Sequence, residues 1–388
     1  MTQHQWARNL RLINWLAAFN NASFFVPFAV PFWLDAGLYQ QKIYLLQGIF
    51  TLVMIGLEIP TGIIADRVGR RVSLITAGLL AASGFGVYTI SHGFWQFAVA
   101  ETLLAVGLSL NSGTIQSMRH ESAIASGNGH SGRKTAGDAH SAALFAAAAT
   151  AALSGLVVKY LGFRATMILD GLTYLVATTC ALRMVEPPRI VKHERARARS
   201  IAPVITGILG LIGLFALLRE ATHIPVFLNA RLLELANIDI GWFGVIFGSL
   251  SLIGALVARY GHKIEAKLGD RKTAILLVSL GIASYLATSQ LPERVAPFGI
   301  VGFSVMFALT KPFMDHALNS RIHDDRVRAT VNSCATLVAR VLYLVAGPLV
   351  GGIVDSQGIQ SGYLVTGIAF GALAMGALWK SFNQLERR

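Results

Sequence analysis

The sequence predicts an all-α membrane protein of about twelve transmembrane helices, arranged as two pseudo-symmetric halves of six. Three observations predict it. Only 14% of the 388 residues are charged, against roughly 25% in soluble domains. Apolar segments of ~20 residues, the length needed to cross the hydrocarbon layer, recur along the whole chain. The chain also repeats itself: Gly69-Arg70-Arg71 returns as Gly269-Asp270-Arg271, and Gly155 with Gly162 returns as Gly351 with Gly358. Duplication of this kind is common in proteins that bind a solute between repeats near the membrane midplane.

The predicted spans cover about residues 12–35, 43–65, 72–91, 94–117, 139–161 and 164–184 in the first half. In the second half they cover about 203–230, 240–261, 272–290, 296–318, 329–354 and 360–381. Many are rich in Gly, Ala and Ser, which lets helix backbones approach closely where hydrophobicity cannot drive association. The first half is read as 1–184, the second as 202–388. Residues 185–201, opening on Glu186-Pro187-Pro188-Arg189, form a polar, charged cytoplasmic linker.

Charge fixes the orientation. With the N-terminus inside, twenty-five Lys and Arg residues fall in cytoplasmic segments. The outside receives five: Lys42, Lys159, Arg164, Arg231 and Arg294. The positive-inside rule therefore predicts a multi-pass protein of the cytoplasmic (inner) membrane with both termini cytoplasmic. The net charge of +13 then needs no nucleic acid partner. Membrane lipids are the expected partners of the basic face, and the protein is expected to act as a monomer. Cys180 and Cys334 lie in apolar runs and imply neither a disulfide framework nor a metal site.

The loop after the second span carries the most specific signal, Gly62-x-x-x-Asp66-Arg67-x-Gly69-Arg70-Arg71, led in by Glu58-Ile59-Pro60. It is similar to the signature loop of the major facilitator superfamily, and its lead-in resembles one large prokaryotic branch of that family. The resemblance covers the whole chain and implies the major facilitator fold. It also implies that Gly62, Asp66, Arg67, Gly69, Arg70 and Arg71 form a conformational gate rather than a substrate site. Physically, Gly62 would allow close helix approach and Gly69 a turn with positive φ. Asp66 can pair with Arg70 or Arg67 and can face a neighbouring helix N-terminus. Glu121 resembles the acid that pairs with the loop arginines in relatives. The second half has Ala266 where Asp66 stands, so the latch is expected to be asymmetric.

Ionisable groups inside spans cost about 2.5–3.5 kcal/mol each at the bilayer centre, which makes each a functional candidate. They are Glu58, Glu101, Asp170, Arg219, Glu220, His223, Lys311, Asp315, His316 and Arg340. In the resembled fold, spans 1, 4, 7 and 10 line the cavity with help from 2, 5, 8 and 11, and only Asp170 lies off those spans. A buried carboxyl without a basic partner favours its neutral form and can carry a proton. Glu101, where many proton-coupled relatives have arginine, is the first candidate, followed by Glu58 and Glu220. Arg219 and His223 share a helical face, as do Lys311 and Asp315, whereas Arg219 and Glu220 are adjacent and expected to point apart. Arg219, His223, Lys311, Asp315, Arg340, Asn20 and Asn21 are the substrate-cavity candidates. With Arg219, Lys311 and Arg340 in the second half and Glu58 and Glu101 in the first, the polarity suits an anionic or zwitterionic solute.

The resemblance implies a secondary active transporter of a small organic, amphipathic solute, driven by a proton gradient, working by alternating access and directed to efflux. The antiporter assignment is weakened because span 5 lacks the Gly-Pro element associated with antiport, and Gly347-Pro348-x-x-Gly351-Gly352 stands instead in span 11. An uptake symporter, a lipid flippase and a non-transporting membrane sensor remain alternatives. No cofactor and no metal are expected. Gly127 to Thr135 nearly spells a phosphate-binding loop, but Arg133 interrupts the Gly-Lys pair, and His120-Glu121 lacks the second histidine of a zinc-protease helix. No nucleophile–base set is recognisable, so no enzymatic activity is expected.

Overall fold

The computed structural model describes residues 3–127, 132–188, 208–322 and 325–383. The predicted linker beyond Pro188 and the centre of the loop at Gly127 to Thr135 lie outside the described residues. No strand occurs among those described. In chain order the helices are α1 (Gln3–Asn21), α2 (Ala29–Asp35), α3 (Gln40–Val68), α4 (Arg70–Ile90), α5 (Phe94–Ala125) and α6 (Gly132–Leu161). They continue as α7 (Phe163–Leu182), α8 (Leu209–Leu235), α9 (Phe243–Gln290), α10 (Gly299–Asn319), α11 (Asp325–Gln357) and α12 (Ile359–Asn383).

Ten helices among the described residues are long and apolar enough to cross a membrane, eleven if the bent pair Gln40–Glu58 and Pro60–Val68 is one span. The expected first span, 12–35, is the difference. Its chain leaves the helix at Asn21, passes through a 3-10 turn at Val26–Phe28 and resumes as the seven-residue α2. Exposed backbone donors cannot be left bare within a membrane, and a carboxylate from α7 meets them. Asp170 accepts the N–H groups of Phe24 (2.7 Å) and Phe25 (3.0 Å) and the Ser23 hydroxyl (3.2 Å). Asp170 is fully buried. The acid that stood off the cavity-lining spans therefore has a structural partner, the break in the first span.

The contacts group into two compact units. Unit 1 comprises residues 1–38, 46–192 and 240–248, and unit 2 comprises 39–45, 193–239 and 249–388. In unit 1, α4 packs on α5 and α7, and α1 packs on α6 and α7. A Cβ on Gly107 of α5 would lie 2.8 Å from the Ala77 carbonyl of α4, so this crossing depends on glycine. In unit 2, α8 is the central helix, packed by α10, α11 and α12.

The internal repeat is visible in the backbone. Gly69 (φ 115°) separates α3 from α4, and Gly269 (φ 71°) breaks α9 at the related position. Gly162 and Gly358, at φ 79° and 87°, end α6 and α11. The related glycines Gly155 and Gly351 serve alike. A Cβ on Gly155 would lie 2.0 Å from the Gly241 carbonyl within unit 1, and one on Gly351 would lie 2.6 Å from Gln41 Cα within unit 2. One turn beyond Gly351, the Asp355 carboxylate accepts the N–H groups of Gln40 and Gln41 at 2.8 Å each, capping the start of α3.

Candidate functional site

The signature loop folds into a compact ionic cluster in unit 1. Arg70 opens α4, is 5% exposed, and reaches two acids. Its Nη1 donates to Asp66 Oδ1 at 2.5 Å, a spacing that one turn of helix supplies. Its Nη2 and Nε donate to Glu121 at 3.2 and 3.4 Å. Glu121 is 4% exposed, so this is a buried pair at the end of α5.

Two expectations change here. The carboxylate at the N-terminus of α4 is not Asp66 but Glu186, which accepts the N–H groups of Arg70 (2.6 Å) and Arg71 (2.9 Å). A helix N-terminus leaves such donors unsatisfied and favours an anion, and Glu186 reaches them from the segment after α7. Gly62, expected to let helices approach, is exposed, and a Cβ there would meet nothing within 4 Å. Arg71 extends instead to the Leu182 carbonyl (2.6 Å), while Arg67 is exposed. Asn9 of α1 braces the residues beside the cluster: its side chain donates to Ser122 Oγ (3.1 Å) and the Val185 carbonyl (2.7 Å), and accepts the Val185 N–H (3.0 Å). Neither Asn9 nor Glu186 was legible as part of the cluster. The one available signal was an acid immediately before two prolines.

Unit 2 holds the related arrangement with the signs exchanged. Asp270 stands 200 residues after Arg70 and Arg321 stands 200 after Glu121. Arg321 Nη1 lies 3.1 Å from Asp270 Oδ2. The expected asymmetry therefore takes another form: Ala266 does replace Asp66, yet the second half keeps an ion pair with acid and base interchanged.

Glu101 on α5 is 5% exposed. The Tyr88 hydroxyl donates to its Oε1 at 2.5 Å and Gln47 Nε2 donates to the same oxygen at 2.8 Å. Both donors are neutral and come from α4 and α3. Glu58 is exposed on α3. Glu220 on α8 is 2% exposed and has His223 Nδ1 at 3.1 Å. Contrary to expectation, adjacent Arg219 also turns to it, with Nε at 3.7 Å. The long arginine stem curls around the helix where a short side chain could not.

Of the substrate-cavity candidates, Arg219 and His223 thus form one cluster on α8 with the proton-carrier candidate Glu220. The His223 ring lies against Tyr343 (4.7 Å between centroids) and Phe227 (5.8 Å). Lys311 and Asp315 form an exposed pair at 2.9 Å on α10. Arg340 is half-buried on α11. Asn20 is half-buried, with an Oδ1 that is buried without a hydrogen bond. Asn21 is exposed and donates to Ala17 of its own helix (2.9 Å).

Comparisons with known proteins agree with this architecture. No curated protein matches the sequence. A bacterial homologue of the human lysosomal transporter Spinster, in an inward-facing unoccupied conformation, is similar at a TM-score of 0.78 and 14% identity, covering 98% of both chains. A point mutant of the nucleoside transporter NupG is similar at 0.78 and 10% identity, covering 97% of this chain and 98% of that one. The POT family transporter PepTSo is similar at 0.73 and 14% identity, covering 95% and 98%. At these identities the likeness is one of fold. The family model for the major facilitator superfamily matches residues 11–321, and the chain, a multi-pass membrane transporter and not an enzyme, belongs to that superfamily.

Proposed function

We propose that this protein is a proton-coupled secondary transporter that exports a small, amphipathic organic solute with an anionic or zwitterionic group by alternating access. Glu101 carries the proposal. It is a carboxyl in the body of a span, 5% exposed, whose recorded donors Tyr88 and Gln47 are neutral. A carboxyl so placed can gain and lose a proton without breaking an ion pair. Asp66, Arg67, Arg70, Arg71 and Glu121 act as the gate that weights one conformation over the other. The energy source is the proton gradient with no bound cofactor, and the protein works as a monomer in the cytoplasmic membrane with both termini inside. The distribution of Lys and Arg supports that orientation.

A second reading, uptake by symport, has one observation in its favour. A proton on His223 would leave the Arg219–Glu220–His223 cluster with a net positive charge, so that a proton and an anion would bind the same state. A thermal-shift scan of amphipathic anions, zwitterions and cations on the purified protein, followed by flux of the hits in proteoliposomes with an imposed pH gradient, tests both. Export requires that solute and protons move in opposite directions. Co-movement selects symport, and binding without flux rejects transport.

A further inference from the structure

We propose that Glu265, Asp270 and His316 of unit 2 form a binding site for a divalent transition-metal ion. One ligand atom from each lies within 4.8 Å of the others. No sequence motif announces them, because they come from three stretches: the turn of α9 before Gly269, the turn after it, and the last turn of α10. On an unbroken helix, residues five apart diverge by about 140°. The left-handed backbone at Gly269 (φ 71°) breaks that geometry and lets Glu265 and Asp270 address one point.

The donor chemistry points to a cation. Oε1 of Glu265 is buried and accepts no hydrogen bond, which is uncommon for a buried carboxylate oxygen. Asp270 holds Arg321 through Oδ2, leaving its other oxygen for a metal. His316 is exposed and gives an ion a way in. Two carboxylates and an imidazole are a donor set for a divalent ion, and Arg321 beside Asp270 offsets part of their negative charge. Mixed nitrogen and oxygen ligation suits Mn²⁺, Co²⁺ or Zn²⁺ better than the oxygen-only preference of Ca²⁺ or Mg²⁺.

The repeat sharpens the inference. The related positions of unit 1 are Ala65, Arg70 and Gln116. There the cation between acids is the Arg70 guanidinium, bonded to both Asp66 and Glu121. Unit 2 has an acid at that position, paired with Arg321, and a metal ion would bring in Glu265, whose related position in unit 1 is Ala65 and carries no acid. A bound ion would also tie the two segments of α9 to the end of α10.

The test uses tag-free, full-length protein in detergent, stripped with a chelator and titrated with Mn²⁺ by calorimetry and with Co²⁺ by visible absorption. The expected result is one equivalent of Co²⁺ with d–d bands, and a Glu265→Gln or His316→Gln variant that loses at least roughly tenfold in affinity, since even outer-shell changes cost that much. Glu293→Gln, an exposed acid of unit 2 beyond the end of α9, should bind as the parent does. Absence of stoichiometric binding to the parent protein overturns the proposal, as does binding that both ligand variants retain. Because metal binding is read directly, its failure leaves the transport reading standing, and absence of flux leaves the metal site standing.

Discussion

The Tyr88 hydroxyl and the Glu101 carboxylate are 2.5 Å apart, both buried, on neighbouring helices of unit 1. Tyr88 donates to Glu101 and carries no charge, so it positions the carboxyl without locking it into an ion pair. Tyr88→Phe should therefore keep the fold at a cost of about 1–3 kcal/mol, the net worth of one hydrogen bond to a neutral or ionised carboxyl, while moving the pH profile of transport. An unchanged profile would separate Tyr88 from the coupling step.

Arg70 satisfies two acids, one of them buried. Arg70→Ala should leave Glu121 as an unpaired buried carboxylate and cost about 3–5 kcal/mol, read as a lowered unfolding midpoint in detergent. Arg70→Ala with Glu121→Ala should recover part of that loss. The exchange Arg70→Glu with Glu121→Arg, made together with Asp66→Ala to match Ala266, imitates the polarity that Asp270 and Arg321 already use in unit 2, and it should be milder than Arg70→Glu or Glu121→Arg alone. If the exchange is as damaging as the singles, the two clusters are not equivalent.

Glu186 meets the first N–H groups of α4. Removing a helix cap costs about 1 kcal/mol, so Glu186→Ala should lower stability by roughly that amount. Glu186→Gln, which can still accept a hydrogen bond, should lie in between. Cysteine labelling at sites on either side of the membrane checks the gate: a shift in accessibility at unchanged midpoint marks a role beyond capping.

Asp170 holds the break in the first span through three hydrogen bonds. Asp170→Ala should cost about 2–4 kcal/mol, because bonds to a charged acceptor are worth about 1.5–3 kcal/mol each and water cannot replace them all. Hydrogen exchange at Phe24 and Phe25 should rise in the variant. Protection equal to the parent would contradict the assignment.

Local and periodic features were legible in the sequence. Asp66 and Arg70 are four apart on one helix, and the spans follow from apolar length, so neither needs tertiary knowledge. The glycine turns at Gly69 and Gly269 and at Gly162 and Gly358 were readable as repeats because the same unusual backbone demands the same residue. What escaped was set by partners distant in the chain. Tyr88 and Gln47 reach Glu101 from other helices, and no spacing rule connects them. Asp170 stands apart in the sequence as the ionisable group off the cavity-lining spans, but its partner is backbone, and a helix break within an apolar run leaves little trace beyond Pro27 and Pro31. Arg219 reached Glu220 because side-chain length can defeat the direction set by the helix. The gathering of Glu265, Asp270 and His316 depends on the backbone reversal at Gly269.

In the proposed cycle, protons drive solute movement through Glu101. Flux of an identified solute in proteoliposomes, with and without an imposed pH gradient, for the parent protein and Glu101→Gln, tests it most directly. Gradient-driven accumulation by the parent, lost at least tenfold in Glu101→Gln while solute binding and gradient-free exchange persist, is the predicted result. Accumulation by Glu101→Gln equal to that of the parent would contradict it.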